Sequence, residues 1–335
     1  MNPRKLIIFL ILMVSLTALS FVKANYLQKE KKSLDQEAKQ FYTLNQDFDS
    51  SAASKITIQR AGSSEELIDL EKDSNSNWVI RNRFNAPAQS SAVQNFLKKL
   101  TAIKGEVRSD NKEVLGDYQL LENQALSVEI KNTAGKSILH LLISPKRPQG
   151  NQNFVRDAAS DKALITEADL LGMLNIYAKD SKLSPKIFLN LKTADFQAAQ
   201  VSKIEFKQTS GEAWTLTKNQ DAKTNAVSWV MEPAPAKGSV QNAKVDELLN
   251  TLTSYYGRDI LDPAGQGYGF DNAAPWIRLT LKKADKEETI EYYLGKQESA
   301  AKTYTLKIMP AGRVYLVSES GVEPLIKKDK QSFIS

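Results

Sequence analysis

The stretch "SWVMEPAPAKGSVQNAKVDELLNTL", residues 228–252, reads as a short apolar strand, a Pro/Ala-rich bridge and an amphipathic helix. Residues 77–100, "NWVIRNRFNAPAQSSAVQNFLKKL", read the same way. Val93, Phe96, Leu97 and Leu100 fall at i, i+3, i+4 and i+7, as do Val245, Leu248, Leu249 and Leu252, which puts one apolar face on each helix. Trp78-Val79-Ile80 and Trp229-Val230-Met231 precede the bridges and read as strands, with Trp78 and Trp229 as matching packing residues. Gly105 and Gly257 each lie twelve residues after the first apolar position of their helix, where glycine would form a left-handed C-cap. Asn242 suits the N-cap of the second helix.

The pairing extends outward. Lys55–Ile58 and Lys203–Phe206 begin alternating strands, followed by Leu67–Leu70 and Trp214–Leu216. Leu126/Val128/Ile130 and Ile277/Leu279/Leu281 alternate next, with Ile138–Ile143 and Ile290–Leu294 behind them. Final hairpins use Phe154-Val155 with Ala163–Ile165, and Tyr304–Ile308 with Val314–Val317. The shared order predicts duplication: an α+β fold of two tandem repeats, 55–178 and 202–330, joined by a bridging segment at 179–201. Each repeat is expected to be a mostly antiparallel sheet with one amphipathic helix packed on a face.

Residues 1–24 carry an uncharged run from Leu6 to Val22, about 26 Å long as a helix against a hydrocarbon core of about 30 Å. This predicts an N-terminal signal-anchor or transmembrane helix; cleavage after Ala24 is left open. Residues 25–50, with Leu27, Leu34, Phe41 and Phe48 at heptad spacing, are expected to form a helical stalk. Together they predict a single-pass inner (cytoplasmic) membrane protein with its bulk in the periplasm.

Arg4, Lys5 and Lys23 supply part of the net charge of +6, and elsewhere the two signs are mixed, which argues against a nucleic-acid partner. The absence of cysteine excludes disulfides, thiol nucleophiles and Cys-ligated metals. His140 is the only histidine, on an expected strand, and no GxSxG elbow accompanies it. Gly135-Lys136-Ser137 has Ile130 where a P-loop needs its first glycine, so a hairpin turn is expected there. No catalytic, metal or cofactor residues are assigned, and no cofactor is expected. Tyr255, Tyr256, Tyr292 and Tyr293 form two pairs, each expected to point one ring inward and offer the other as a contact for glycan or protein.

The Trp-Val-apolar strands, "YGFDNAAPWIRLTL" at 268–281, "YYLGK" at 292–296 and "RVYLVS" at 313–318 give the chain, over residues 50–330, a resemblance to the bacterial family catalogued as domain of unknown function 4340. The first copy departs from the pattern twice: Tyr118-Gln119-Leu120 lacks the glycine, and Ile143-Ser144-Pro145 replaces Leu-Gly. The resemblance brings no catalytic motif. It implies an extracytoplasmic auxiliary role of the kind linked to ABC-type transport or gliding-motility components. The expected function is thus a non-catalytic, membrane-anchored accessory or assembly protein with a protein partner in a transport complex. The alternative is an envelope module binding polysaccharide, peptidoglycan or lipid in a groove between the two repeats.

Overall fold

The computed structural model describes Ser20, Val22, Lys23 and residues 41–335, except 179, 209, 222, 225, 271–275, 284–285 and 327–328. By contacts the chain divides into two compact units, Met1–Lys72 with Ser91–Ile187 and Asp73–Ser90 with Phe188–Ser335.

The chain runs through β1 (Phe41–Thr43), β2 (Ala53–Arg60), β3 (Leu67–Lys72), β4 (Trp78–Ile80), β5 (Ala86–Pro87) and helix α1 (Ser90–Lys99). It continues through β6 (Lys104–Ser109), β7 (Leu126–Asn132), β8 (Ser137–Ile143), β9 (Asn153–Asp157) and β10 (Ala163–Thr166). Next come β11 (Val201–Lys207), β12 (Ala213–Gln220), β13 (Val227–Glu232), helix α2 (Asn242–Thr253) and β14 (Asp259–Leu261). The last elements are β15 (Trp276–Lys283), β16 (Lys286–Glu298), β17 (Thr303–Met309), β18 (Arg313–Ser318) and helix α3 (Glu319–Ile326). One sheet has ten strands in the order β1-β6-β10-β9-β8-β7-β2-β3-β4-β5, and the other has eight in the order β13-β12-β11-β15-β16-β17-β18-β14. Read from β6 to β4 and from β14 to β13, the two orders are the same.

Alternation explains the cores, because successive residues on a strand face opposite sides of the sheet. In the first unit Leu70, Ile56, Ile130 and Leu139 pair in one row, and Ile68, Ile58, Val128 and Leu141 in the next. Matching rows in the second unit are Leu216, Ile204, Leu279, Ile290 and Trp214, Phe206, Ile277, Tyr292. The second row has changed from aliphatic to largely aromatic. Phe206 and Trp214 stack with centroids 3.7 Å apart, and buried Phe333 packs against both rings. Full burial of each such side chain stabilises by about 1.5–3 kcal/mol. Val93, Phe96 and Leu97 of α1 and Val245, Leu248, Leu249 and Leu252 of α2 are buried, the faces that periodicity predicts.

The α+β expectation is corrected to a mostly β fold. Long helical periods account only for α1 and α2, of ten and twelve residues, against sheets of ten and eight strands. Strands β1, β5, β6 and β14 are too short or too interrupted to show alternation in the sequence, and each adds to a sheet. No helix among the described residues is long and apolar enough to cross a membrane. The signal-anchor, membrane and single-pass inner-membrane expectations, with the bulk periplasmic, are therefore unsupported and withdrawn. Residues 1–24 themselves fall outside the described residues apart from Ser20, Val22 and Lys23. The helical stalk over 25–50 is likewise not shown. Residues 25–40 are outside the described set, and Phe41 of the heptad stripe lies on β1, paired antiparallel with β6.

Gly105 and Gly257 are not helix caps. Helix α1 ends at Lys99, and Ala102 takes the left-handed conformation instead. Gly105 lies on β6, where a Cβ would sit 2.8 Å from the Ile165 carbonyl; one on Gly257 would sit 2.9 Å from the Tyr315 ring. Both glycines allow close backbone approach to a neighbouring strand. Asn242 is the first residue of α2, not its cap, and its amide serves β13: Oδ1 accepts the Trp229 N–H and Nδ2 donates to the Val227 carbonyl.

Candidate functional site

In the first unit the turns that follow the strands enclose an open recess of about 630 Å³. Arg60, at the end of β2, donates from Nε to Glu66 (2.7 Å) and from Nη2 to the Ser181 carbonyl (2.8 Å). Glu66 also accepts the Leu183 N–H. Burial pushes the Glu66 carboxyl upward, but the Leu183 N–H and the Arg60 guanidinium outweigh it and hold the group below its ordinary range. Arg147, beyond β8, is fixed in the same manner, by Asp169 (2.9 Å) and the Ile176 carbonyl (2.8 Å). Nη1 of Arg60 and Nε of Arg147 have no partner among the described residues. The Lys146 ammonium has none either; only its backbone N–H is engaged, by Ser144 Oγ.

Gln119 and Gln124 bring two exposed carboxamides to the same recess. Their loop is held from beneath by Leu115, Leu120, Phe154 and Ala163, with Tyr118 packed edge-on against Phe154 at 4.9 Å. Buried Arg156 adds a tie, donating to the carbonyls of Leu120 (2.8 Å), Ala158 and Ser160. Pro145, Leu171 and Ile176 supply apolar wall, and the Tyr177 ring, 68% exposed, stands at the rim.

The corresponding place in the second unit is shut. Tyr268-Gly269-Phe270 matches Tyr118-Gln119-Leu120, and Leu294-Gly295-Lys296 matches Ile143-Ser144-Pro145 in strand order and sequence position. There the Lys296 N–H donates to the Tyr268 carbonyl at 2.6 Å, and Thr305 Oγ1 donates to the same oxygen. Both glycines are needed for this approach: a Cβ on Gly295 would fall 2.1 Å from that oxygen, and one on Gly269 3.0 Å from the Lys296 nitrogen. In the first unit Pro145 stands where Lys296 does and has no N–H to give. Gln119 and Ser144 stand where Gly269 and Gly295 do, and each carries a side chain. The two backbones cannot join, and the gap they leave is part of the recess.

The residues singled out in the sequence lie elsewhere. Trp78 and Trp229 are each 5% exposed, in packing positions. Tyr255 is buried, and Tyr256, 59% exposed, forms an isolated bridge with Lys192. Tyr292 is buried in the aromatic row, and the Tyr293 hydroxyl donates to Glu291 (2.7 Å), which Arg278 also holds. His140 Nε2 lies 2.9 Å from Ser127 Oγ on the neighbouring strand, and no carboxylate hydrogen-bonds the ring among the described residues. No group of three or more His, Asp or Glu is placed to hold a metal among the described residues. Gly135 sits with positive φ in the β7–β8 turn, whose N–H groups bond to Asn132. The recess residues were missed because they come from separate loops with no common period. The one signal was the pair of departures in the first copy, at Gln119 and at Ser144-Pro145.

The family model described as Domain of unknown function (DUF4340) matches residues 78–273. The chain belongs to this family. The match begins at β4 and ends ahead of β15, so within DUF4340 the "YYLGK" and "RVYLVS" passages fall beyond the matched region. Neither a curated protein nor a solved structure gives a significant match to the chain.

Proposed function

We propose that this DUF4340 chain is a non-catalytic binding protein that takes a small polar ligand in the recess of its first unit. The observation that carries the reading is the contrast at one join. The second unit closes it backbone to backbone, and the first opens it and lines the gap with donors. Concave sites with a few convergent polar groups on a fixed scaffold are where proteins hold small ligands. Here the two guanidiniums are fixed by carboxylates and carbonyls behind them, so the site needs little reordering to bind. The lining suits a hydrated ligand better than a lipid chain, which would demand continuous apolar wall.

This combines the two roles open from the sequence, with the recess of the first unit proposed as the ligand site in place of the inter-repeat groove expected there. The recess supplies the ligand side, and an accessory subunit, including one in a transport system, is the setting we propose for it. The test is an array of neutral and charged oligosaccharides, muropeptides and amino acids probed with the full chain and with a Gln119→Gly/Ser144→Gly/Pro145→Lys variant that restores the closed join. Retention by the wild type and loss in the variant is expected. Equal retention by both, or none by either, would refute the recess as the site.

A further inference from the structure

We propose that the ligand is an acidic saccharide carrying one carboxylate per sugar, of the uronic-acid class. This rests on the reading of the recess as a binding site and narrows it. Charge is the first argument. Glu66 and Asp169 sit directly behind Arg60 and Arg147 and neutralise them, which leaves the Lys146 ammonium as the uncompensated charge. A single net positive charge fits one sugar carboxylate held in the recess. A polyphosphate would leave most of its charge unmatched.

The second argument is the mixture of donors. The carboxamides of Gln119 and Gln124 each offer two N–H groups and an acceptor, the pattern that vicinal hydroxyls answer as donors and acceptors at once. The spare N–H groups of Arg60 and Arg147 add fixed donors on the same wall. Tyr177 at the rim and Pro145 in the wall give flat apolar surfaces for the C–H face of a pyranose ring. The recess volume of about 630 Å³ lies within the usual range for small-ligand pockets, and its open side lets a longer chain pass through.

The geometry assigns separate parts. Lys146 receives the carboxylate, the two glutamines read hydroxyls, and Tyr177 carries the ring. Lys146, Gln119, Gln124 and Tyr177 are all exposed, so their substitution leaves the core intact. Calorimetric titration of the full chain with trigalacturonate, its methyl ester and inorganic phosphate tests this. Trigalacturonate should bind at least about tenfold more tightly than the ester, the difference expected for one charge-assisted hydrogen bond. Lys146→Gln should erase that preference by weakening trigalacturonate towards the affinity of the ester, and Tyr177→Ala should weaken both sugars. Equal binding of acid and ester, lost in the closed-join variant, would overturn the acidic class and leave the recess standing. Phosphate binding as tightly as trigalacturonate would overturn the saccharide. If neither sugar binds while the array retains another ligand at the recess, the class is wrong. Failure of every array ligand is failure of the site itself.

Discussion

The join at Tyr268 and Gly295 and the join at Tyr118 and Ser144 occupy the same place in two sheets of the same strand order, and they differ by a few side chains. In the second unit two glycines let backbones meet, and the Lys296 N–H reaches the Tyr268 carbonyl. In the first, Gln119 and Ser144 prevent the approach and Pro145 removes the hydrogen bond. The lesson is that a recess need not be built by adding elements. Removing one donor and two glycines from a closed turn is enough, provided that buried groups such as Arg156 hold the separated loops.

The largest expected effect probes what the two halves share. Trp78→Ala and Trp229→Ala each remove an almost fully buried ring and should each cost about 3–5 kcal/mol in denaturant titrations. A loss below about 1 kcal/mol at either would break the equivalence of the two strands. Next is the closed join. Gly295→Ser places a Cβ against the Tyr268 carbonyl and Thr305 and should cost about 3 kcal/mol. The chain already carries serine at 144, where the first unit has no such approach.

A smaller effect separates the ends of the sheets. Strand β4 is covered by β5, whereas β13 has its outward Trp229 N–H and Val227 carbonyl held by the Asn242 amide. Asn242→Ala should cost about 1–2 kcal/mol and, by freeing an edge, increase self-association measured by sedimentation. The smallest effect is in pH. Burial raises the Tyr292 and Tyr255 hydroxyls, which have no hydrogen-bond partner among the described residues, above their ordinary value of 10.0. The folded state then holds those protons more tightly than the unfolded state. Their contribution is whole below pH 10 and declines as pH rises beyond it. Hydrogen exchange at alkaline pH should therefore show the second unit opening first, because Leu141 stands in the first unit where Tyr292 stands in the second. Tyr292→Leu should flatten that dependence.

The sequence shows the sheets where alternation and core burial coincide. Ile56/Ile58 and Ile204/Phe206 mark paired rows, and the two helices follow from their 3.6-residue faces. Short edge strands carry too few residues for a period, so the β content is underestimated, and β6 and β14 are invisible before the structure. Gly105 and Gly257 are visible as matched glycines but suggest caps, because spacing along a chain does not reveal which strand will lie alongside. The recess is least legible: Arg60, Gln119, Lys146 and Tyr177 meet only through folding. What sequence does offer is the difference between copies, for Gln119 and Pro145 are where the first repeat abandons the pattern of the second.

Hydrogen exchange of the full chain with and without trigalacturonate tests the central claim most directly, since it reads both joins in one sample. Binding at the recess predicts new protection in residues 116–124 and 144–147 and no change in residues 265–270 and 294–298. Protection that appears in the second unit instead, or no protection at either join, would contradict the account.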